Sequence, residues 1–308
     1  MGRYIFGIDV GGTNIKIGLV NSSGKVFSRT ALITKSFVRS KNLLINAIIG
    51  SCEFILKQNK LKHSDLLGVG IGLPGLIDSR RGFVNFLVNI SGWNNIPLKA
   101  IFQKRLKAPT FLDNDVNVIT LGEWKFGAGQ GMKNMVCITL GTGVGGGLVI
   151  NGRLYRGESF CAGEIGHIPL NEDGPRCHCG GRGCLESYVG NQYLLAGARK
   201  IFRNPMMTLE DVTRLASKGD LRAVRFWKGA AVRIGNGLSG IVNLLNPECI
   251  IIGGGIANAH RFLLKTIHET IKKRAMKIPA RAVRIVRAQL GSDAGIIGAK
   301  VLVEEAMT

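Results

Sequence analysis

No apolar run in this chain approaches the roughly 18–20 residues that cross a bilayer, and no small-residue cleavage site follows the short apolar start at Met1–Asp9. Neither a membrane span nor a secretion signal is expected, and the cytoplasm is the expected compartment. Acidic residues are scarce: Asp plus Glu number 20 against 41 Lys plus Arg, a formal net charge of +21. Such an excess raises nucleic acid or an anionic surface as a partner. The densest basic stretch, Lys265–Arg287, lacks interleaved aromatics and any helix-turn-helix pattern, so it reads as a solvated face and nucleic acid is not expected. No Walker A string occurs, and no Pro- or Ser-rich linker divides the chain. What is present, 308 residues of which 45% are hydrophobic and 43 are Gly, suits a globular α/β protein with room for two domains.

Four of the seven cysteines, Cys52, Cys137, Cys161 and Cys249, sit among apolar neighbours and are expected to be small buried hydrophobes. The other three, Cys177, Cys179 and Cys184, crowd together. Without a secretion signal that spacing favours a metal site over a disulfide framework.

Tyr4–Phe27 reads as strand, tight turn, strand, Ser-Ser-Gly turn, strand. Met135–Tyr155 repeats it: a shift of 129 residues lays Gly12-Thr13 on Gly141-Thr142 and Gly18-Leu19-Val20 on Gly147-Leu148-Val149. Two Gly-rich hairpins at the heads of two halves point to an internally duplicated, two-lobed protein. Helical periodicity marks Asn42–Gln58, Leu221–Leu245 (stopped by Asn246-Pro247), Arg261–Met276 and a closing helix around Ile296–Ala306. Leu66–Gly72 and Cys249–Ile252 read as short buried strands.

Glycines after a buried strand let backbone N–H groups approach an anion. Asp9-Val10-Gly11-Gly12-Thr13 has that form, with a hydroxyl at Thr13, a cation at Lys16, and in Asp9 a carboxylate suited to hydrated magnesium. An ordinary hairpin turn is the plain alternative. Gly141–Gly147 contains Gly-x-Gly-x-x-Gly, but Leu148-Val149-Ile150 and an Asn-Gly turn follow where a dinucleotide fold needs a helix. Two hairpin loops could instead clamp a triphosphate. Gly253-Gly254-Gly255 after Cys249–Ile252 would let a flat adenosine lie against backbone.

Asp9–Thr13, Gly141–Gly147 and Asn246–Gly255 resemble the two phosphate motifs and the adenosine motif of the superfamily of sugar kinases, actin and heat-shock chaperones. Gly163-Glu164-Ile165-Gly166-His167 and Cys177–Glu186 narrow the resemblance to the ROK family of repressors, open-reading-frame kinases and bacterial glucokinases, over essentially the whole chain. It implies an α/β, two-lobed actin-like ATPase (ribonuclease H-like) fold with duplicated mixed sheets flanked by helices. The N-terminal lobe is expected at 1–117, with a helix at about 294–308 packing back on it. The C-terminal lobe is expected at 118–293 and carries the zinc-binding loop. The implied activity is ATP-dependent phosphorylation of a hexose, glucose at O6 foremost. N-acetylglucosamine, N-acetylmannosamine and fructose are alternatives, and polyphosphate is an alternative donor. A homodimer or homotetramer is implied too.

The resemblance places nucleotide contacts at Asp9, Gly11, Gly12, Thr13, Lys16, Gly141, Thr142, Gly143, Gly145, Gly253, Gly254 and Gly255, with ATP and Mg2+ as the implied cofactors. It places sugar contacts at Gly75, Asn89, Asn114, Asp115, Glu164, His167 and Glu186, and makes Asp115 the catalytic base. A structural Zn2+ on His167, Cys177, Cys179 and Cys184 completes the picture, with His178 pointing away. From the residues alone, Asp113-Asn114-Asp115 equally reads as a turn capping the helix that follows. A sugar-responsive repressor is the rival class. It is disfavoured because the first strand begins at Tyr4, where a repressor's DNA-binding domain is expected to precede it.

Overall fold

The structure is a computed structural model that describes residues 4–37, 40–87 and 92–308. Strands β1 (Tyr4–Val10), β2 (Asn14–Asn21) and β3 (Val26–Ile33) form the first meander. Helix α1 (Lys41–Gln58) begins where Ser40 accepts the Leu43 N–H, a cap of the usual Ser type. Strand β4 (Leu66–Leu73) follows. A small sheet of β5 (Leu76–Asp78), β6 (Phe83–Phe86) and β7 (Asn94–Ile96) comes next, unforeseen because such short strands carry no readable period. Helix α2 (Leu98–Leu106), strand β8 (Thr110–Asn114) and helix α3 (Asp115–Phe126) complete this part.

The second series starts with β9 (Met135–Leu140), β10 (Val144–Ile150) and β11 (Arg153–Tyr155). Helices α4 (Glu186–Val189), α5 (Asn191–Phe202), α6 (Leu209–Ser217) and α7 (Leu221–Leu245) follow. Then come β12 (Cys249–Gly253), α8 (Leu263–Arg274), α9 (Lys277–Ala282), β13 (Arg284–Arg287) and α10 (Ala294–Met307).

The duplication is visible in the sheets. One has the order β3-β2-β1-β4-β8 and the other β11-β10-β9-β12-β13. In each, the hairpin is antiparallel and the next two neighbours are parallel. The register refines the repeat. Val10 pairs with Ile15 and Leu140 with Val144, so the offset is 130 on the incoming strand and 129 on the returning one. The first loop is therefore one residue longer.

Two compact units result. The first comprises residues up to 131, 154–162 and 289–308; the second comprises 132–153 and 163–288. The division thus falls after Gly131, not at Asn117. The reason is that α3 and α10 pack on each other across glycines: a Cβ on Gly298 would run into the Val118 carbonyl, and one on Gly122 into that of Ala294. On the adjoining sheet Gly7 of β1 and Gly70 of β4 are paired neighbours. A Cβ on either would strike the α10 backbone, at Ile296 and Ala299. These glycines let a helix lie directly on parallel strands, closer than ordinary side chains permit.

The core of the second unit centres on α7, whose Trp227, Ala230, Ala231, Ile234, Leu238 and Ile241 follow helical spacing and are buried. Asp220 caps its start by accepting the Arg222 and Ala223 N–H groups, and Asn246 ends it at φ 44°. Cys52, Cys137 and Cys249 are buried; Cys161 is half-exposed in the turn 156–162, its thiol directed at the Ser159 carbonyl at 3.1 Å. No described helix is long and apolar enough to cross a membrane.

Candidate active site

The first unit presents the loop Gly11–Thr13 at the end of the β1–β2 hairpin. Thr34 holds it from below, its hydroxyl donating to Gly11 O at 2.7 Å and its N–H to Thr13 O at 3.0 Å. Asp9 lies one residue before the end of β1, opposite Lys16, with Oδ2 and Nζ 4.0 Å apart. Gly295 of α10 packs against its carboxylate. Burial pushes the Asp9 pKa up from 3.8, and Lys16 only partly offsets this. A buried carboxylate short of positive charge fits a divalent cation, which magnesium supplies while keeping most of its waters.

At the junction of β8 and α3 both readings of Asp113–Asp115 have a physical basis. Asn114 is the cap: its Oδ1 accepts the Val116 N–H at 2.9 Å and the Asn117 N–H at 3.3 Å. Its other amide atom, Nδ2, donates to Gly75 O at 3.4 Å. Gly75 has φ +111°, and a Cβ there would collide with the Phe86 carbonyl, so its glycine is a backbone requirement. Asp115, half-buried, opens α3 and accepts the Val116 N–H at 2.9 Å. Asp113 is almost wholly buried; it accepts the Asn114 N–H, the Asn117 amide and Arg156 Nε, the last at 2.6 Å. Arg156 was not foreseen, because 43 residues separate it from Asp113 and no local pattern joins them. Asn89 lies outside the described residues.

The second unit presents Gly141–Gly143 between β9 and β10. The first N–H of α5, from Asn191, ties the Gly141 carbonyl at 2.9 Å. A Cβ on Gly143 would come 2.5 Å from Glu186 Oε2, which itself accepts the Val144 N–H at 2.8 Å. Gly145 lies within β10. Past β12, Gly254 has φ +85° and packs on the Leu140 carbonyl, whereas beside Gly255 there is open space. The backbone of β9 alone explains Gly254; Gly255 leaves room for a flat group.

Glu164 precedes a single 3-10 turn, Ile165–His167, and its Oε2 lies 3.9 Å from His167 Nε2. Burial raises the Glu164 pKa, His167 opposes this, and Glu186 adds to it. The other histidine nitrogen, Nδ1, lies 3.7 Å from Cys177 Sγ. Cys179 Sγ and Cys184 Sγ are 3.6 Å apart, and the four ligand atoms of His167, Cys177, Cys179 and Cys184 lie within 4.8 Å of one another. Zn–S bonds of ~2.3 Å at tetrahedral angles put sulfurs ~3.8 Å apart, so the donor set fits zinc. The thiols fit it chemically as well. Burial raises Cys177 and pushes Cys184 up to about 12, while the Gly181 N–H holds Cys179 down. Three crowded thiols cannot all ionise without a cation among them. His178 is turned to Gln192, with Nδ1 2.9 Å from the amide nitrogen, and to Tyr193.

Comparison with known proteins gives a consistent result. The profile of the ROK family matches residues 5–306. A glucokinase of Halalkalibacterium halodurans is 36% identical, covering 98% of this chain and 96% of its own. A xylose repressor of Bacillus spizizenii is 32% identical over 98% of this chain and 77% of the repressor. Among solved structures, a ROK glucokinase from Streptomyces griseus in complex with glucose and AMPPNP superposes with a TM-score of 0.82 at 31% identity, covering 98% of this chain and 99% of that one.

Proposed function

This chain belongs to the ROK family, with the two-lobed fold of the actin-like ATPases, and on that footing we propose that it transfers the γ-phosphate of ATP to glucose at the 6-hydroxyl. The observation that carries the reading is Asp115, a half-buried carboxylate at the first turn of α3 beside its cap Asn114, in a chain so similar to glucokinases along its length. Asp115 takes the proton of the attacking hydroxyl as its oxygen bonds the γ-phosphorus and the bond to the β-phosphate oxygen breaks, releasing ADP. Asn114, Glu164, His167 and Glu186 offer the fixed acceptors and donors that a ring of hydroxyls requires. The Gly11 and Gly141 N–H groups close their turns onto Asn14 O and Gly143 O, so the later residues of each loop, Gly12-Thr13 and Thr142-Gly143, are the ones to offer backbone N–H groups to the phosphates, and Gly255 the space for adenine. Asp9 would hold a magnesium ion, which would supply positive charge to the triphosphate, and His167 with the three thiols would hold zinc, which would fix the loop that ends in Glu186.

ATP as donor suits a cytoplasmic enzyme, and a homo-oligomer is the expected assembly, measurable by light scattering. The test of function is a coupled assay of ADP release across glucose, fructose, N-acetylglucosamine and N-acetylmannosamine. Glucose is expected to give the highest kcat/KM; release with an N-acetylhexosamine alone would move the assignment within the family. The repressor reading is supported by the xylose-repressor similarity and the +21 charge. It requires specific operator binding at ~150 mM salt, where non-specific binding is suppressed.

A further inference from the structure

The second unit carries a groove of about 510 Å³ between α4, α5 and α7. Its shape follows from the sequence. Arg222, Arg225, Phe226, Gly229 and Arg233 recur at helical spacing and share one face of α7. On α5, Tyr193, Gly197 and Ile201 do the same. Gly197 and Gly229 leave the middle hollow: a Cβ on Gly197 would only just reach Phe226, at 3.8 Å, and one on Gly229 meets nothing nearer than the Arg233 guanidinium at 3.5 Å.

The lining includes three guanidinium groups and no carboxylate. Arg222 is already engaged, 3.2 Å from Asp220 and stacked over Phe202. Arg233 lies over the Tyr188 ring at 5.4 Å, and among the described residues it has no acidic partner and Arg225 no partner at all. A concave site of this size suits a small organic molecule, and Arg forks between aromatic rings select phosphate oxygens.

We propose that this groove binds a small organic phosphate, held by Arg225 and Arg233, and that its occupancy acts on Glu186 through α4. The connection is short. Tyr188 lies two residues after Glu186 on α4, and the intervening Ser187 donates to Cys184 O at 2.7 Å. Tyr193 Oη lies 3.2 Å from His178 Nδ1, within the Cys177–Cys179 segment. The second half of the proposal rests on the kinase reading; the first does not.

The test is calorimetry on the full chain saturated with a non-hydrolysable ATP analogue. The probes are inorganic phosphate, a hexose 6-phosphate and AMP. At least one phosphorylated probe is expected to bind once per chain and to bind at least ~10-fold more weakly to Arg225→Ala/Arg233→Ala, as loss of charged hydrogen bonds implies. Both arginines are exposed, so the variant keeps its fold. No binding by any probe, equal binding by the variant, or displacement of every probe by the ATP analogue overturns the site. For the coupling, a saturating probe is expected to shift the sugar KM of the wild type and not of the double variant. An unshifted wild-type KM overturns that half alone, and a chain inactive on every hexose fails the kinase reading while the calorimetry still decides the site.

Discussion

One oxygen of Glu186 accepts the Val144 backbone N–H at 2.8 Å, while the other lies 3.9 Å from the Cys177 sulfur. A single carboxylate thus joins the hairpin that carries Gly141–Gly143 to the loop that carries the thiols. Hydrogen bonds to a charged group are worth ~1.5–3 kcal/mol, or roughly 10–100-fold in affinity. Glu186→Ala is expected to lower affinity for magnesium-ATP as well as for the sugar. Gly143→Val is expected to do the same, since its Cβ would displace the Glu186 carboxylate besides filling the loop. Titration calorimetry with each ligand checks this, and unchanged ATP affinity in both variants would count against the link.

Asp115→Asn is expected to leave the fold and sugar affinity near wild type, because Asn114 caps both Val116 and Asn117 and the replacement amide keeps an oxygen that can accept the Val116 N–H. Turnover is expected to drop ~10²–10⁴-fold, the usual cost of a lost general base. Near-wild-type kcat would remove Asp115 from that role.

For Asp9 the expectation concerns stability and pH. Burial raises its pKa above 3.8, so the fold favours the neutral form. The stability it contributes is complete below the ordinary carboxylate value and is lost as pH rises through the raised one. In magnesium-free buffer at neutral pH, Asp9→Asn should therefore raise Tm, and the gain should shrink as pH falls towards 3.8. The same variant should lose most ATP-dependent turnover. A Tm lowered at neutral pH would contradict the burial argument.

Much of this was legible because its signals are local. The hairpins announced themselves by glycine turns between apolar runs, and α7 by an unbroken helical period ended by Asn246-Pro247. What escaped depends on distance along the chain. Arg156 finds Asp113 across 43 residues, and Glu123 accepts the Gln289 and Leu290 N–H groups from 166 and 167 residues away. Strand β13, Arg-Ile-Val-Arg, is too short and too basic to read as a sheet partner of β12. At Asn114 the sequence posed a choice between cap and binding residue. The fold uses its two amide atoms differently, Oδ1 on the helix and Nδ2 on Gly75.

Zinc is the next expectation. Purified protein should carry about one zinc per chain, as one four-ligand site implies. Cys179→Ala opens the tetrahedron and frees both His167, 3.9 Å from Glu164, and Cys177, 3.9 Å from Glu186. Sugar affinity and Tm should fall together, and a strong chelator should reproduce both effects in the wild type. Metal analysis paired with calorimetry reads the outcome; sugar affinity unmoved by zinc removal would reduce the loop to a surface staple.

The central claim, phosphoryl transfer from ATP to glucose O6, is tested most directly by phosphorus NMR of a reaction containing the protein, magnesium-ATP and glucose. The account predicts a phosphomonoester resonance coupled to the C6 protons, growing as the γ-phosphate signal declines, and growing ~10²–10⁴-fold more slowly with Asp115→Asn. A γ-phosphate signal that persists unchanged in the presence of glucose, or a monoester at another carbon, would contradict it.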